Sequence, residues 1–479
     1  MSVQLLIESL DEKIIKIIND VLTIKPKSSY FETKSRKNPY SETAEKDPVQ
    51  MFQILPLTKE IRVSFRFACG LFNKIFNHDA ESKCASFDPG SFEISLRDYQ
   101  AAPAIEAYEQ LSLYGTTTLG LPPSFGKTIL GVWLWHGTKT VVVVLVHRQP
   151  LITSWKNSFI KALPKLEKYI WVVGEDYPEG LRSDVSHSAS DAKHSVSDQE
   201  KVYPPVIICM DGRYEQIPEH IRQSVGCVII DEAHCFCTPS RVGVLLAFQP
   251  KFIIAETATL IRPDNMHVMI QSIVGTHSVD RVSTKPHVVI KINTGIKAEE
   301  KRSRMGVCFM DLCRKLDEDE KRNKMIIDIV ISNPHRKIMI LTRIAEHVEV
   351  LQSLLEQVGI KSSTYYGSAK TYSDTGVLIG TISKIGVGFD EAMTCPDYQG
   401  IPSDTLILCN SIKETSTYEQ TRGRVMRSKD PYILYLVDEN KNVKDHFQHN
   451  QGWMLYTKGK IIDVDYQEGA IVIPKERSS

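Results

Sequence analysis

Short, nearly continuous apolar runs alternate with longer amphipathic stretches through most of this 479-residue chain. A strand that helices bury on both faces needs such an uninterrupted run, whereas a strand with one wet face alternates apolar and polar residues. Between residues 91 and 270 the predicted strands are Val141–Val146, Val206–Cys209, Cys227–Ile230 and Phe252–Ala255. The pattern therefore predicts a parallel α/β domain in this half of the chain.

The same pattern returns between about residues 285 and 440. Helical spacing predicts helices over Asp317–Ile331 and Ala345–Val358. Further apolar runs predict strands at Lys337–Leu341, Val377–Gly380, Leu406–Leu408 and Ile433–Val437. Two α/β units of similar size therefore follow one another without a sequence repeat. We divide the chain into an N-terminal accessory region (1–90), two α/β domains (91–275 and 276–445) and a C-terminal tail (446–479).

The N-terminal region carries no recognisable chemistry. Apolar residues at helical spacing predict one helix over Val3–Ile24, which Pro26 ends, followed by a polar loop at 25–50 and a strand at Ile61–Phe67. We interpret the region as an appendage that packs on the first domain. A partner-binding or nucleic-acid-gripping role is the alternative.

Two other segments stand apart from the α/β pattern. Ser183–Glu200 is rich in Ser, Asp and His and is predicted to be a solvated insertion. The tail has two strand-prone stretches, Ile461–Val464 and Ala470–Ile473, which predict an edge hairpin.

The composition is that of an ordinary soluble globular protein, with 42% apolar and 24% charged residues. The longest strongly apolar run, Val141–Val146, is too short to cross a bilayer, and Met1–Leu10 has no signal-peptide pattern. The ten cysteines lack metal-site spacing and are predicted to be free thiols. We expect an intracellular, soluble, monomeric protein with no membrane partner. Because Lys+Arg and Asp+Glu both number 58, nucleic-acid binding would need a local basic lining.

Leu121-Pro-Pro-Ser-Phe-Gly-Lys-Thr128 leads into a helical pattern and is a candidate phosphate loop. Backbone amides at such a turn, around Ser124 and Gly126, favour anions. Lys127 is expected to reach the β and γ phosphates and Thr128 to ligate Mg²⁺. The loop departs from the usual pattern at Leu121 and Ser124, where glycine or alanine is common.

Asp231 and Glu232 directly follow the predicted strand Cys227–Ile230. Carboxylates at the end of such a strand can hold Mg²⁺ through water and can polarise the attacking water. We assign Mg²⁺ binding to Asp231 and polarisation of the water to Glu232. Helix capping is the plainer alternative, but it explains one carboxylate and not the pair together with the upstream loop.

Two further elements complete a nucleotide site. Gln100, upstream of the loop, offers the paired donor and acceptor that an adenine edge needs. In the second half, Gln420-Thr-Arg-Gly-Arg-Val-Met-Arg427 predicts a helix on which Arg424 and Arg427 share one face and, across a cleft, meet the charge of a γ-phosphate. An exposed basic helix face is the alternative.

Taken in their order, these motifs resemble those of superfamily 2 helicases and translocases, over about residues 91–440. The resemblance implies two tandem RecA-like parallel-sheet domains that use ATP and Mg²⁺. The matching segments are the adenine-reading element at Leu96–Gln100, motif I at Leu121–Thr128, motif Ia at Val146–Trp155, the DEAH box at Asp231–His234, motif III at Thr257–Thr259, motif IV at Lys337–His347, motif V at Gly380–Asp390 and motif VI at Gln420–Arg427.

The resemblance also implies roles that the residues alone do not. They are nucleic-acid contacts at Arg148, Thr259 and Thr381, coupling residues at His234 and Thr257, nucleotide-binding residues at Gly388 and Asp390, and a catalytic Gln420.

Within this family the chain looks most similar to the DEAH-type helicases of poxviruses and related large cytoplasmic DNA viruses. Its compact size and Arg322-Asn323 carry that likeness. It implies work in transcript release or repair beside the transcription machinery, in the cytoplasm (a virus factory or virion) or the nucleus. The Leu-Pro start of the loop and the Arg262-Pro-Asp264 continuation favour DNA. The alternatives are an RNA helicase and a nucleic-acid-binding scaffold with poor hydrolysis.

Overall fold

The computed structural model describes residues 1–27, 47–78, 83–123, 125–178, 181, 203–262, 264–303, 306–386, 389–467 and 471–474. Ser183–Glu200, Ser124 and Gly388 lie outside the described residues, as does most of the predicted loop at 25–50. The chain divides into a first unit, Met1–Leu121 with Phe125–Arg281, and a second unit, Val282–Ser479 with Pro122–Ser124.

The first unit is built from strands and helices in alternation. Its strands are β1 (Ser2–Leu6), β2 (Thr23–Ile24), β3 (Val49–Gln50), β4 (Phe52–Leu55), β5 (Glu60–Ser64), β6 (Thr116–Gly120), β7 (Val142–Val146), β8 (Ile170–Val172), β9 (Val206–Met210), β10 (Cys227–Ile230), β11 (Phe252–Thr257) and β12 (Val279–Asp280). Its α-helices are α1 (Glu12–Leu22), α2 (Phe65–Phe72), α3 (Asp98–Tyr114), α4 (Lys127–Thr138), α5 (Gln149–Ala162), α6 (Glu219–Ser224), α7 (Val242–Leu246) and α8 (Val268–Val274).

A seven-stranded sheet in the order β12-β6-β11-β10-β7-β9-β8 forms the centre of the first unit, and every pair in it is parallel. Alternate residues of each strand enter different apolar clusters. In β7, Val143 and Leu145 belong to one cluster and Val144 and Val146 to the other. Apolar packing on both faces explains why these strands are continuous apolar runs. Parallel pairing also gathers the carboxyl ends of β6, β10 and β11 at one edge.

The N-terminal region packs on the first unit through an antiparallel sheet, β1-β5-β4, and shares its apolar cluster. The prediction of a single helix over Val3–Ile24 is wrong, because its first residues form β1 and pair with β5. Only Glu12–Leu22 is α-helical, and the Asp11 side chain caps it by accepting from Lys13 N. The predicted strand at Ile61–Phe67 ends at Ser64, where α2 follows.

The second unit repeats this architecture. Its strands are β13 (His287–Asn293), β14 (Arg302–Ser303), β15 (Gly306–Val307), β16 (Ile338–Thr342), β17 (Ser363–Tyr365), β18 (Val377–Thr381), β19 (Thr405–Leu408), β20 (Tyr432–Val437) and β21 (Gly459–Asp465). Its helices are α9 (Phe309–Asp317), α10 (Glu320–Ser332), α11 (Ala345–Gln357), α12 (Ile382–Ile385), α13 (Glu391–Thr394), α14 (Thr415–Arg422) and α15 (Lys441–Tyr456).

Seven parallel strands in the order β17-β18-β16-β19-β20-β13-β21 form the second large sheet, with an apolar cluster on each face. The predicted α/β class with two tandem parallel sheets is confirmed. The helix predicted over Asp317–Ile331 is α10, which begins at Glu320 because Asp319 caps it by accepting from Arg322 N; Asp317 is the last residue of the preceding helix, α9.

The tail does not form the predicted edge hairpin. Residues Gly459–Asp465 are β21, which α15 delivers to the edge of the sheet so that it pairs parallel with β13. Beyond it, Ile471 and Ile473 are buried, and their backbone groups bind the Asn333 amide. All ten cysteines lie within the described residues and none of them forms a disulfide, as predicted. Among the helices of the described residues, none combines the length and apolar character that a membrane crossing requires.

Candidate active site

The predicted phosphate loop lies in the first unit, where β6 ends at Gly120 and α4 begins at Lys127. Gly126 caps the helix with a φ of 90°, a left-handed conformation that side chains disfavour. A Cβ at this position would also lie 2.5 Å from Gln100 Nε2. Both the backbone and the close approach therefore require glycine. The N-terminus of this 12-residue helix presents the N–H groups that bind phosphate in similar turns.

Gln100 lies against the phosphate loop. Its Nε2 donates to Phe125 O at 2.8 Å, and its Oε1 accepts from Arg97 N at 3.0 Å. The buried amide therefore ties the start of α3 to the loop. Contact with an adenine edge stays a prediction, since both ends of the amide bind backbone groups here.

Lys127 is held at the mouth of the loop, where its Nζ donates to Leu121 O at 3.0 Å. Leu121 itself is fully buried in the apolar cluster that packs on one face of the sheet. Leucine at the first position of the loop therefore fills the core, and its carbonyl orients the lysine.

Asp231 follows the last residue of β10, at the carboxyl edge of the first sheet. Its Oδ2 accepts from Trp155 Nε1 at 2.9 Å, and its backbone N–H donates to Leu145 O. Burial, assisted by the neighbouring Glu232, raises the pKa of Asp231 to about 6. Trp155 therefore anchors this carboxylate, a role that the sequence analysis did not assign when it placed Trp155 at the end of motif Ia.

His234 connects the acidic pair to β11. Its Nδ1 lies 3.4 Å from Glu232 Oε2 and 3.0 Å from Thr257 Oγ1. Thr257 Oγ1 in turn accepts from Thr259 N at 2.9 Å. Burial lowers the pKa of His234, which favours the neutral imidazole that such a bridge uses. Glu232 has a left-handed backbone, with φ of 48°, which aims its side chain at this junction.

Arg262 holds the same junction from the other side. Its Nη1 donates to His234 O at 2.7 Å, while its Nε and Nη2 bind the Asp264 carboxylate. Asp264 also accepts from Met266 N at 3.1 Å. The residues that follow motif III therefore act as a local brace for the Asp-Glu-x-His turn.

Glu256 is a carboxylate that the sequence interpretation missed, because the apolar run was taken to end at Ala255. Ala255 pairs with Ile230, so the parallel register sets Glu256 beside Asp231. Glu256 is fully buried, and neither carboxylate oxygen has a hydrogen-bond partner within the described chain. Burial first, and then Asp231, raises its pKa well above 4.5. A charged residue at the end of an apolar run was the available signal.

The same side chain comes very close to the phosphate-loop helix. A Cβ on Gly131, one turn after Lys127, would lie 2.3 Å from Glu256 Oε1. Glycine at this position therefore leaves the space that the carboxyl group occupies. Buried carboxylates, the Thr128 hydroxyl and a helix N-terminus form a donor set that fits a magnesium-bound nucleotide, because Mg²⁺ prefers oxygen ligands and phosphates prefer helix N-termini.

In the second unit, Arg424 and Arg427 both bind the segment that follows α12. Arg424 donates to Gly386 O and Phe389 O, both at 2.6 Å, and Arg427 Nη2 lies 2.7 Å from Asp390 Oδ2. Burial alone would raise the pKa of Asp390. The hydrogen bond and the positive charge of Arg427 outweigh burial and lower this pKa below its ordinary value.

The prediction that these arginines share one helix face is wrong. Helix α14 ends at Arg422, because Gly423 begins a turn, so Gln420 is helical and both arginines lie beyond the helix. Gln420 is buried in the last turn of α14. Arg422 is a structural residue: it is fully buried and donates to Glu419, which Trp453 Nε1 also binds at 2.9 Å.

Comparisons with known proteins show which proteins this chain is similar to. The family model described as "Type III restriction enzyme, res subunit" matches residues 93–262. "Putative helicase 055L" of Frog virus 3 (isolate Goorha) is 25% identical over 364 residues, which are 75% of this chain and 77% of that protein. "Transcript termination protein A18" of Fowlpox virus (strain NVSL) is 24% identical over 346 residues, which are 67% and 68% of the two chains.

The fold is shared with a solved structure. S. cerevisiae Dbp5 bound to RNA and ADP BeF3 superimposes with a TM-score of 0.50 at 11% identity, over 76% of this chain and 89% of Dbp5. Two RecA-like domains are therefore the architecture of this chain.

Over residues 93–262 the chain is similar to the type III restriction enzyme res subunit, and over most of its length it is similar to viral proteins described as putative helicases.

The three residues predicted to contact nucleic acid all lie at carboxyl ends of sheet strands. Arg148 is exposed just after β7, Thr259 follows β11, and Thr381 ends β18. Ligands of open parallel sheets bind at this edge. Thr381 is buried, and its Oγ1 accepts from Ser383 Oγ at 3.3 Å. Contact of these residues with a nucleic-acid strand stays a prediction.

Proposed function

We propose that this chain is a helicase that hydrolyses ATP with Mg²⁺ and couples hydrolysis to movement along nucleic acid, preferentially DNA, as a DEAH-type motor. One observation carries the proposal. At the carboxyl edge of one sheet, Lys127 lies close enough to act electrostatically on Asp231 and His234, and His234 lies 3.4 Å from Glu232 and 3.0 Å from Thr257. Nucleotide chemistry and a link toward a nucleic-acid path therefore occupy the same small region.

Phosphate binding is the first step. The N–H groups at the start of α4 receive the β and γ phosphates, and the Lys127 ammonium moves from Leu121 O to the phosphate oxygens. Gln100 holds the loop backbone through Phe125 O during this exchange. Thr128 and Asp231 would hold Mg²⁺, which supplies neutralising charge on the phosphates when bound.

Water activation is the second step. The indole N–H of Trp155 fixes Asp231 and favours its ionised form, which the positive charge of Lys127 also favours. Glu232 then accepts a proton from the attacking water as general base. His234 contacts Glu232 and Thr257 together, so a shift of either side chain changes the other.

The second unit supplies positive charge. Arg424 and Arg427 bind Gly386, Phe389 and Asp390 within that unit, and we propose that they exchange these contacts for the transferred phosphate. The exchange would make hydrolysis depend on a conformational step.

The nucleic-acid track is contacted mainly through phosphates, at Arg148, Thr259 and Thr381. Because the chain carries no net charge, such binding depends on local contacts and weakens steeply with salt. Likeness to poxvirus proteins named for transcript termination supports a role beside a transcription complex. The Dbp5 structure holds RNA, so an RNA track is the competing possibility.

A hydrolysis-poor scaffold is the remaining alternative, motivated by the unusual phosphate loop. Burial of Leu121 in the core weakens that alternative, since the departure is a packing residue and leaves Lys127 in place.

Turnover of ATP should therefore be measured alone and with duplex DNA, single-stranded DNA and RNA, for the wild type and for Lys127→Ala. The expected result is a rate that DNA stimulates more than RNA and that the variant lowers at least about a hundredfold. Stimulation by RNA alone would replace the DNA preference. Nucleic-acid binding without any turnover would establish the scaffold instead.

A further inference from the structure

A groove with a volume of about 820 Å³ opens on the second unit between helices α10 and α11. The end of α9 closes one side of it through Arg314 and Asp317. None of its lining residues carries the nucleotide chemistry proposed above. The groove is therefore a separate feature of the fold, with a volume in the range of ordinary ligand pockets.

Apolar side chains from both helices line the groove. They are Ile327 and Ile331 on α10, Val350 and Leu354 on α11, and Val358 just after it. Ile331 is 46% exposed, Val350 44% and Val358 48%. Branched apolar residues facing one another across a groove leave an exposed surface that association would remove from water.

The polar side chains at one end of the groove already form hydrogen bonds with one another and with the backbone. His347 Nε2 lies 2.8 Å from Asn323 Oδ1, and its Nδ1 lies 2.9 Å from Thr342 Oγ1. Asn323 Nδ2 donates to Asp317 O at 2.8 Å. Burial lowers the pKa of His347 to about 3, so the ring is neutral. These groups have little left to orient a polar small molecule.

Acidic residues dominate the rim. Glu318, Glu320, Asp328 and Glu346 line it, against Arg314 and Lys324. Among the described residues, Glu318, Glu320 and Glu346 form no ion pair. A rim of this sign repels nucleic-acid phosphates and attracts basic side chains.

We propose that this groove docks a basic amphipathic helix of a partner protein. The apolar face of that helix packs between α10 and α11, and its Lys and Arg residues meet the glutamates of the rim. Helices bound in such grooves place apolar anchors at positions i, i+3, i+4 and i+7. A nucleic acid would meet repulsion from this acidic rim.

Synthetic helices test the proposal on the full-length chain by fluorescence anisotropy. The first peptide is a Leu/Lys helix of about 18 residues with leucines at the anchor spacing, the second has the same residues scrambled, and the third replaces Lys by Glu. The variants are Val350→Lys, which puts a charge in the apolar lining, and Glu320→Lys, which reverses the rim. Glu356→Lys is the matched control, because this exposed glutamate of α11 does not line the groove.

Saturable binding of the Leu/Lys helix alone is expected, weakened about tenfold by Val350→Lys and by Glu320→Lys and less than about twofold by the control. Equal binding of the scrambled peptide, equal effects of the control, or no binding would overturn the proposal. A dimer that Val350→Lys dissociates in sedimentation would assign the groove to a second copy and overturn it too. Circular dichroism checks that each variant folds, and ATP turnover is not needed for any of these outcomes.

Discussion

Both units bury charged side chains near the carboxyl ends of their central strands, but they treat the charge differently. In the second unit, Arg322 is fully buried, and it binds Asp438 and Cys409 O and lies 3.6 Å from Asp317. In the first unit, Glu256 is equally buried, yet its carboxyl oxygens have no hydrogen-bond partner within the described chain.

This difference distinguishes an ionisable side chain that stabilises the fold from one that is available to bind a ligand. A buried charge costs stability unless partners satisfy it, so a paired network belongs to the fold. An unpaired carboxyl group beside Asp231 and below the phosphate-loop helix imposes a cost that the fold alone does not explain. Such groups cluster at functional sites.

The largest expected effect on stability comes from breaking the paired network. Arg322→Met should lower the free energy of unfolding by about 3–5 kcal/mol, because it leaves Asp438 and Asp317 buried without their cation. Denaturant titration measures the change. Arg314→Met is the control: its side chain is 61% exposed and its ion pair with Asp311 is 3.8 Å long, so the expected loss is about 0–1 kcal/mol. Similar losses of unfolding free energy in the two variants would show that the buried network contributes no more to stability than an exposed ion pair.

A smaller effect, of opposite sign, is expected at the unpaired carboxyl group. Its folded-state pKa is raised, so the folded state holds this proton to higher pH than the unfolded state does. Stability therefore falls as pH rises from about 4.5 through the folded-state pKa. Glu256→Gln removes this loss and should be more stable than the wild type by about 1–3 kcal/mol at pH 8, and by less near pH 5.

Denaturant titrations at the two pH values check this prediction, with Glu109→Gln on α3, an exposed glutamate, as the control. A variant that is less stable than the wild type at pH 8 would contradict it, and would assign Glu256 to the structural class instead.

The smallest effect on stability is expected at Arg427, which is 36% exposed and pairs with the partly exposed Asp390. Arg427→Ala should cost about 0–1 kcal/mol of unfolding free energy. Yet it should lower ATP turnover by about a thousandfold, as loss of a phosphate-stabilising arginine does. Turnover and melting temperature are measured on one preparation. A large loss of stability with normal residual turnover would make Arg427 structural.

Four strands of each large sheet were predictable because burial on both faces leaves a continuous apolar run in the sequence, whereas β6, β8, β12, β13 and β17 were not predicted. Cys227–Ile230 matches its prediction end to end, and the other central strands shift by one or two residues. The helix predicted over Val3–Ile24 failed because β1 depends on pairing with β5, about sixty residues away in the chain, which helical spacing cannot reveal.

Site residues were predictable where a motif concentrates them, and less so where contacts come from distant segments. Lys127, Asp231 and His234 lie close together in the first unit, as their motifs indicate. Their supports are remote: Trp155 reaches Asp231 across 76 positions, and Arg424 binds Phe389 across 35. Such partners follow from the fold and not from local spacing.

The most direct test of the account compares nucleotide binding and turnover in Glu232→Gln. We expect a fluorescent ATP analogue to bind the variant with Mg²⁺ within about threefold of the wild type, because Lys127 and Asp231 remain, while nucleic-acid-stimulated turnover falls at least about a hundredfold. Turnover close to that of the wild type, with binding intact, would contradict the assignment of Glu232 as general base and of this edge of the sheet as the active site.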